Sequence, residues 1–241
     1  MSIKAVVFDI YKTVLTVGAP PPDAAPRWAQ LCSRLPGGAP LSLVEFGAAC
    51  HEHVAREHAT AHAAGIAFPE VFWPDITKAV LPALATLTPK ALDEFLLQHA
   101  QLVRRVALAD GAADVLQFLR ERGVPLGIAS NAQPYTLHEL DAALAEQGMS
   151  RALFEPRLCF WSFEAGFSKP DPHVFRWLTA RLHALGVTPA ETLMVGDRLD
   201  NDIEPARAQG WQTWQLREAG VAGETPGGAW DGLMVYLRQL L

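Results

Sequence analysis

The sequence predicts an α/β fold: a parallel sheet core flanked by helices, with an all-α segment inserted after the first strand. Three observations predict it. Five short apolar, β-branched runs end abruptly at a polar residue or a glycine, as buried parallel strands do. Helix-patterned segments of about ten residues separate the later runs, the alternation expected of βαβ units. Finally, the stretch after the first run shows helical patterning without a strand-like run.

The elements follow in order. Ile3–Phe8 is too short for a helix and stops at Asp9, so it reads as the first strand. From Val17 to Ala107 the pattern is helical, punctuated by the proline and glycine clusters GAPPP, LPGGAP and FPEVFWP. Beyond it come a helix at Gly111–Arg122, a strand at Val124–Ser130, a helix at Tyr135–Glu146 and a short strand at Leu158–Phe160. A helix at Pro172–Leu185, a strand at Thr192–Gly196, a helix at Asp202–Gln209 and a strand at Trp211–Leu216 complete the series. Gly123, Gly148, Gly186 and Gly210 each follow a helix, where a left-handed C-cap suits a residue without a Cβ.

Composition narrows the function classes. Half of the 241 residues are hydrophobic and 19% are charged, which excludes an intrinsically disordered chain. With 26 acidic residues against 20 Lys plus Arg the net charge is −6, so nucleic acid and anionic membranes are poor partners, and a small anionic substrate needs a locally positive site. Cys32, Cys50 and Cys159 are odd in number and widely spaced, which fits neither a disulfide framework nor a CxxC metal site. No run reaches the ~18 apolar residues of a membrane span. The expectation is a cytoplasmic protein.

Ligands in open parallel sheets bind beyond the carboxyl ends of the strands. That rule brings Asp9, Ser130 and Asp197 to one crevice although more than a hundred residues separate them. Four segments carry the candidates. FDIYKTVL places Asp9 directly after a buried strand, an expensive position for a carboxylate unless it is paired or metal-bound. GIASN ends in Ser130 and Asn131, small donors suited to an oxyanion or equally to a helix cap. GFSKPDPHVF sets Lys169 before a Pro-x-Pro turn, and MVGDRLDNDI packs Asp197, Asp200 and Asp202 into six residues, a density that calls for a cation. Asp200 and Asn201 are readable as loop decoration.

In order and spacing these four segments resemble the motifs of the haloacid dehalogenase superfamily, hydrolases dominated by phosphatases. The resemblance covers residues 1–16 and 108–230 and implies a Rossmann-like core at 1–16 and 108–241 with a helical C1-type cap at 17–107. It further implies that Asp9 is the nucleophile, that Ser130 binds the transferred group, that Lys169 bridges the two, and that Asp197 ligates Mg²⁺ with support from Asp202. Charge agrees: Asp9, Asp197 and Asp202 against one lysine leave an excess that a divalent ion offsets.

The chain departs from the phosphatase pattern DxDGT at two positions. Where phosphatases of the family carry a second Asp, which protonates the leaving group and activates water, this chain has Tyr11. The 2-haloacid dehalogenases resemble DxYGT there, yet their fourth motif resembles SSNxxD and works without metal, whereas here it is acidic. The chain is thus a hybrid of a dehalogenase-like first motif and a phosphatase-like fourth. A phenol near pKa 10 can still donate a proton, so Tyr11 is a candidate with Asp9 and Lys169 for catalysis, and with Asp9, Asp197 and Asp202 for the metal set. Ser130, Asn131 and Lys169 are the substrate-binding candidates. Lys12 replaces the usual Gly, pointing either into the crevice or outward. Three functions follow: a Mg²⁺-dependent phosphatase of a small phosphorylated metabolite acting through an aspartyl-phosphate; a metal-independent 2-haloacid dehalogenase; and a catalytically weakened phosphate-binding or regulatory protein. The first is expected to cleave aryl and acyl phosphates better than alkyl phosphates, which need the missing acid.

Other features carry bland alternatives. HEHVAREHATAH sets His58 and His62 at i, i+4, for a solvated face or a second metal site. PEVFWP suits a cap wall or cap core. Arg27, Arg34 and Arg56 are available to a substrate's non-reacting end or to solvent, and Trp211, Trp214 and Trp230 read as packing of the C-terminal strand and tail.

Overall fold

The computed structural model describes residues 2–38, 41–218, 220–221 and 223–241. The end of the LPGGAP cluster, residues 39 and 40, lies outside them. In chain order the elements are β1 (Ala5–Phe8), β2 (Leu15–Gly18), α1 (Ala24–Cys32), α2 (Leu43–Ala63), α3 (Trp73–Val80), α4 (Pro89–Val103), β3 (Arg105–Leu108), α5 (Ala112–Glu121) and β4 (Leu126–Ser130). They continue with α6 (Pro134–Ala145), β5 (Cys159–Trp161), α7 (Ser162–Ala165), α8 (Pro172–Ala184), β6 (Thr192–Gly196), α9 (Glu204–Ala208), β7 (Gln212–Leu216), β8 (Gly227–Gly228) and α10 (Trp230–Leu240).

Six strands form one parallel sheet in the order β5-β4-β1-β6-β7-β8. The chain runs outward from β1 through β4 to β5, then crosses back to build β6, β7 and β8 on the other side. The order therefore reverses at β1, and Asp9 leaves the sheet at that switch point. Side-chain alternation along β1 builds both faces. Val6 and Phe8 join Leu126, Ile128, Leu193 and Val195 under α5, α6 and α10, while Ala5 and Val7 join Met194 under α8 and α9. Trp211, Trp214 and Trp230 are buried as expected, Trp230 stacking on Phe8 with ring centroids 6.1 Å apart.

The five expected strands and the helices between them are present, with ends shifted by one or two residues. The series beginning at Asp202 is corrected: a π-helical turn occupies Leu199–Ile203 and the α-helix starts only at Glu204. The expectation of no strand from Val17 to Ala107 is also corrected. β2 and β3 pair antiparallel, with Val17 opposite Val106 and Thr16 opposite Ala107, so a two-stranded ribbon ties both ends of the insertion together. It escapes a search for buried runs because only Leu15 of β2 is buried. Between the ribbon's strands, α1 to α4 pack a core of their own around Trp28, Phe46, Ile76, Leu84 and Phe95. No helix is long and apolar enough to cross a membrane among the described residues, and the three cysteines are free.

Candidate active site

Three loops converge at the carboxyl ends of β1, β4 and β6. Asp9 follows β1, its N–H donating to the Val195 carbonyl of β6 at 2.9 Å. Asp197 follows β6, and Asp202 is turned back under it by the π-helical turn. Gly196 makes that return possible, since a Cβ there would lie 2.4 Å from Asp202 Oδ2. Carboxylate oxygens of Asp9, Asp197 and Asp202 all lie within 4.8 Å of one another. Lys169 is 3% exposed and donates from Nζ to Asp9 Oδ1 at 2.7 Å and to Asp202 Oδ1 at 2.5 Å, while Asp202 Oδ2 accepts from the Arg198 N–H at 3.0 Å.

The electrostatics follow from this crowding. Burial raises the Asp9 carboxyl to about 6 against the pull of Lys169, and Asp202 adds to the rise. Burial and then Asp202 also raise Asp197, which Lys12 and Lys169 lower only in part. Burial alone would depress the Lys169 ammonium, but Asp202 and Asp9 outweigh it and hold it above the usual lysine range. Two carboxylates about 5 Å apart repel by roughly 3 kcal/mol at an effective dielectric near 20, and one ammonium cannot neutralise three of them. The cluster is a set of hard oxygen donors short of positive charge.

Ser130 closes the site from β4. It is fully buried, and its Oγ has no hydrogen-bond partner. Thr13, which the sequence reading passed over, is equivalent: 1% exposed, with an unpartnered Oγ1, and only four residues beyond Asp9. Buried hydroxyls are normally satisfied, so both orphans, one at the end of β4 and one in the loop that follows Asp9, are candidates to meet a ligand's oxygens.

Two candidates are corrected. Asn131 is not free to bind substrate: its side chain donates to the Lys169 carbonyl at 2.9 Å and accepts the Lys169 N–H at 2.7 Å, so it fixes the lysine loop instead. The Tyr11 phenol is not aimed at a leaving group. It donates to Glu139 and lies 2.8 Å from Thr136 Oγ1, while Arg104 donates to it at 2.7 Å and to Glu139 at 2.8 Å, with its guanidinium 4.6 Å from the Tyr11 ring centre. Burial, reinforced by Glu139 and opposed by Arg104, pushes the phenol well above its ordinary range. The phenol is thus engaged by Glu139, Thr136 and Arg104. Arg104 and Glu139 had no sequence signal, since Tyr11 and Glu139 stand 128 residues apart.

The remaining features divide simply. Asp200 forms an exposed pair with Arg198, and Lys12 is exposed with φ 61°. Arg27, Arg34 and Arg56 are exposed on the insertion. His58 and His62 have ring centres 6.2 Å apart, but among the described residues they join no cluster of three or more metal-ligating side chains, and the carboxylate triad is the one such cluster. Within PEVFWP, Val71 and Trp73 pack into the insertion, while Phe72 is exposed and stacks on Phe163 of α7.

The family whose pattern matches residues 3–210 is that of haloacid dehalogenase-like hydrolases. The chain belongs to this family. It is a hydrolase of the haloacid dehalogenase superfamily, and the family's fold accounts for both the sheet order and the insertion after β1. Among curated relatives it is 36% identical over 138 residues to a phosphoserine phosphatase of Thermus thermophilus, covering 57% of this chain and 51% of that protein. It is 35% identical over 102 residues to a glyceraldehyde 3-phosphate phosphatase of Methanopyrus kandleri, covering 42% and 40%. The matches thus span about half the length of these relatives or less. Solved haloacid dehalogenase-like structures share the fold along the whole chain. A 2-haloacid dehalogenase from Pseudomonas syringae has TM-score 0.60 at 18% identity, covering 99% of this chain and 100% of that one. A phosphatase of the superfamily from Thermococcus onnurineus has TM-score 0.57 at 20% identity, covering 98% of each.

Proposed function

We propose that this hydrolase is a Mg²⁺-dependent phosphatase of a small, anionic phosphorylated metabolite, with residues 17–107 as a cap over the site. The observation that carries the reading is the convergence of Asp9, Asp197 and Asp202 within 4.8 Å around a single buried lysine. A dehalogenase working without metal has no use for that excess of carboxylate beside its nucleophile and its anionic substrate. The curated relatives, by name phosphatases of phosphoserine and glyceraldehyde 3-phosphate, support the same reading.

The donor set suits Mg²⁺, which prefers a few carboxylates and substrate oxygens. Asp9 and Asp197 would hold the ion with support from Asp202, and Tyr11 is a further candidate through its main chain, since its phenol is engaged by Glu139. When bound, it offsets the carboxylate charge and polarises a phosphoryl oxygen. Lys169 occupies Asp9 Oδ1, which leaves Oδ2 to attack phosphorus; the P–O bond to the leaving group breaks and its electron pair departs with that oxygen. Ser130 and Thr13 donate to the phosphoryl oxygens, and water then cleaves the aspartyl-phosphate to return free Asp9. Because the Tyr11 phenol is committed to Glu139, no proton reaches the leaving group from that position. Aryl and acyl phosphates are therefore the better substrates. A reducing cytoplasmic setting is compatible with three free thiols, and neither nucleic acid nor membrane is a partner in this reading.

The test is release of phosphate from aryl and alkyl phosphates, alongside chloride release from 2-chloropropionate, with and without a chelator. Phosphate release that a chelator abolishes and Mg²⁺ restores supports the proposal. Chloride release that the chelator leaves untouched overturns it in favour of the dehalogenase reading, and phosphate binding without turnover overturns it in favour of a binding protein.

A further inference from the structure

Glu70 lies on the insertion, in the segment between α2 and α3, yet its carboxylate is spent on the sheet core. Ser162 Oγ donates to Oε2 at 2.6 Å, while Gln133 Nε2 at 3.1 Å and the Val71 N–H at 2.9 Å donate to Oε1. Main chain reinforces the join: the Glu70 N–H donates to the Gly166 carbonyl at 3.1 Å and the Ser168 N–H to the Phe68 carbonyl at 2.9 Å. Gln133 completes it by accepting the Trp73 N–H at 2.9 Å and donating to the Val71 carbonyl at 2.8 Å.

The partners are not arbitrary parts of the core. Gln133 lies on the loop that begins at Ser130, and Gly166 and Ser168 lead into Lys169. Ser162 also accepts the Ala132 N–H at 2.8 Å, and Asn131 ties that loop to the Lys169 backbone. Hydrogen bonds therefore link Glu70 to Ser162 and Ser162 to the Ala132 backbone, and the neighbouring Asn131 carries the connection on to the backbone of the lysine. We propose that Glu70 is a positioning residue that seats the helical insertion on the two loops carrying Ser130 and Lys169. This inference goes beyond the phosphatase reading and does not depend on which bond the site cleaves.

The geometry says what kind of group the seat needs. The three donors to the Glu70 carboxylate are all neutral, a hydroxyl, an amide and a backbone N–H, and burial raises the carboxyl above the usual glutamate range against these donors and His58. A glutamine can take its place. Its carbonyl would keep the Val71 and Gln133 donors, and its amide would donate to Ser162 Oγ, whose own proton can turn to the Ala132 carbonyl at 3.2 Å. An alanine removes the three side-chain bonds and leaves Ser162 and Gln133 without a shared partner.

Hydrogen exchange on the full chain tests this without any need for turnover. The reporters are the amides of Trp73, Ala132 and Ser168, which are bonded across or beside the seat; the β1 and β6 amides are the control. Glu70→Ala is expected to speed exchange at the three reporters about ten-fold or more, the equivalent of losing roughly one net hydrogen bond, with the control amides unchanged. Glu70→Gln is expected to stay within about three-fold of the parent. Unchanged reporters in Glu70→Ala, or Glu70→Gln exchanging as fast as Glu70→Ala, overturn the proposal. If Glu70→Ala also loosens the sheet, Ser162→Ala gives the same reading through one bond, with Ala132 set aside because its N–H donates to Ser162 directly: faster exchange at Trp73 and Ser168 supports the seat, and no change there overturns it.

Discussion

In the sheet core, buried charge is grouped. Lys169 bonds to both Asp9 and Asp202 at the strand ends. The helical insertion, by contrast, buries His99 among aromatic rings: it is 5% exposed, with Trp28, Phe46 and Trp73 around it and Nε2 unpartnered. The core accepts an electrostatic cost at the strand ends, and the centre of the insertion surrounds its imidazole with rings rather than with charge. Removing a buried polar group should therefore cost function in the first region and stability in the second.

The largest expected effect lies in the core. Asp9→Asn should lower kcat/KM by at least about 10³-fold on the best substrate, while urea unfolding shows stability retained or raised, because a crowded carboxylate has been neutralised. A variant that keeps substantial turnover would break the assignment of the nucleophile.

In the insertion, the sign of the pH dependence is fixed by burial. Burial and then Arg104 lower the His99 imidazole to about 4, below the value near 6.5 of an unfolded histidine. The unfolded chain binds the proton first, so the contribution is complete above pH 6.5 and is lost as pH falls toward 4. The loss is on the order of 3 kcal/mol. Urea unfolding of the parent and His99→Phe between pH 7.5 and 4.5 checks it: the parent should lose ground relative to the variant as the pH falls, and a constant difference would contradict the picture.

Smaller effects sit where the two regions join. Tyr11→Phe leaves Glu139 and Arg104 without the phenol and should cost about 1–3 kcal/mol in urea, with the aryl-over-alkyl preference unchanged. A shift of that preference would restore the phenol as an acid. Lys12→Gly relieves a left-handed backbone, φ 61°, and should change stability by no more than about 1 kcal/mol.

The same contrast explains what was legible in the sequence. Apolar runs that stop at Asp9, Ser130 and Asp197 announce strand ends, and a parallel sheet leaves little choice about where those ends meet, so the carboxylate cluster could be read from local pattern. The ribbon of β2 and β3 could not, because Thr16, Val17 and Gly18 face solvent and give no buried run. Asn131 and Tyr11 were visible as positions but not as contacts. Their partners, Lys169 at 38 residues' distance and Glu139 at 128, are chosen by packing between elements. Glu70 was silent for the same reason, since Ser162 stands 92 residues away.

Calorimetric titration of Mg²⁺ into the parent and Asp197→Asn tests most directly whether the carboxylate cluster is a cation site. The prediction is saturable binding at a single site in the parent, weakened at least ten-fold in the variant. No binding by the parent, or equal binding by both, would contradict it.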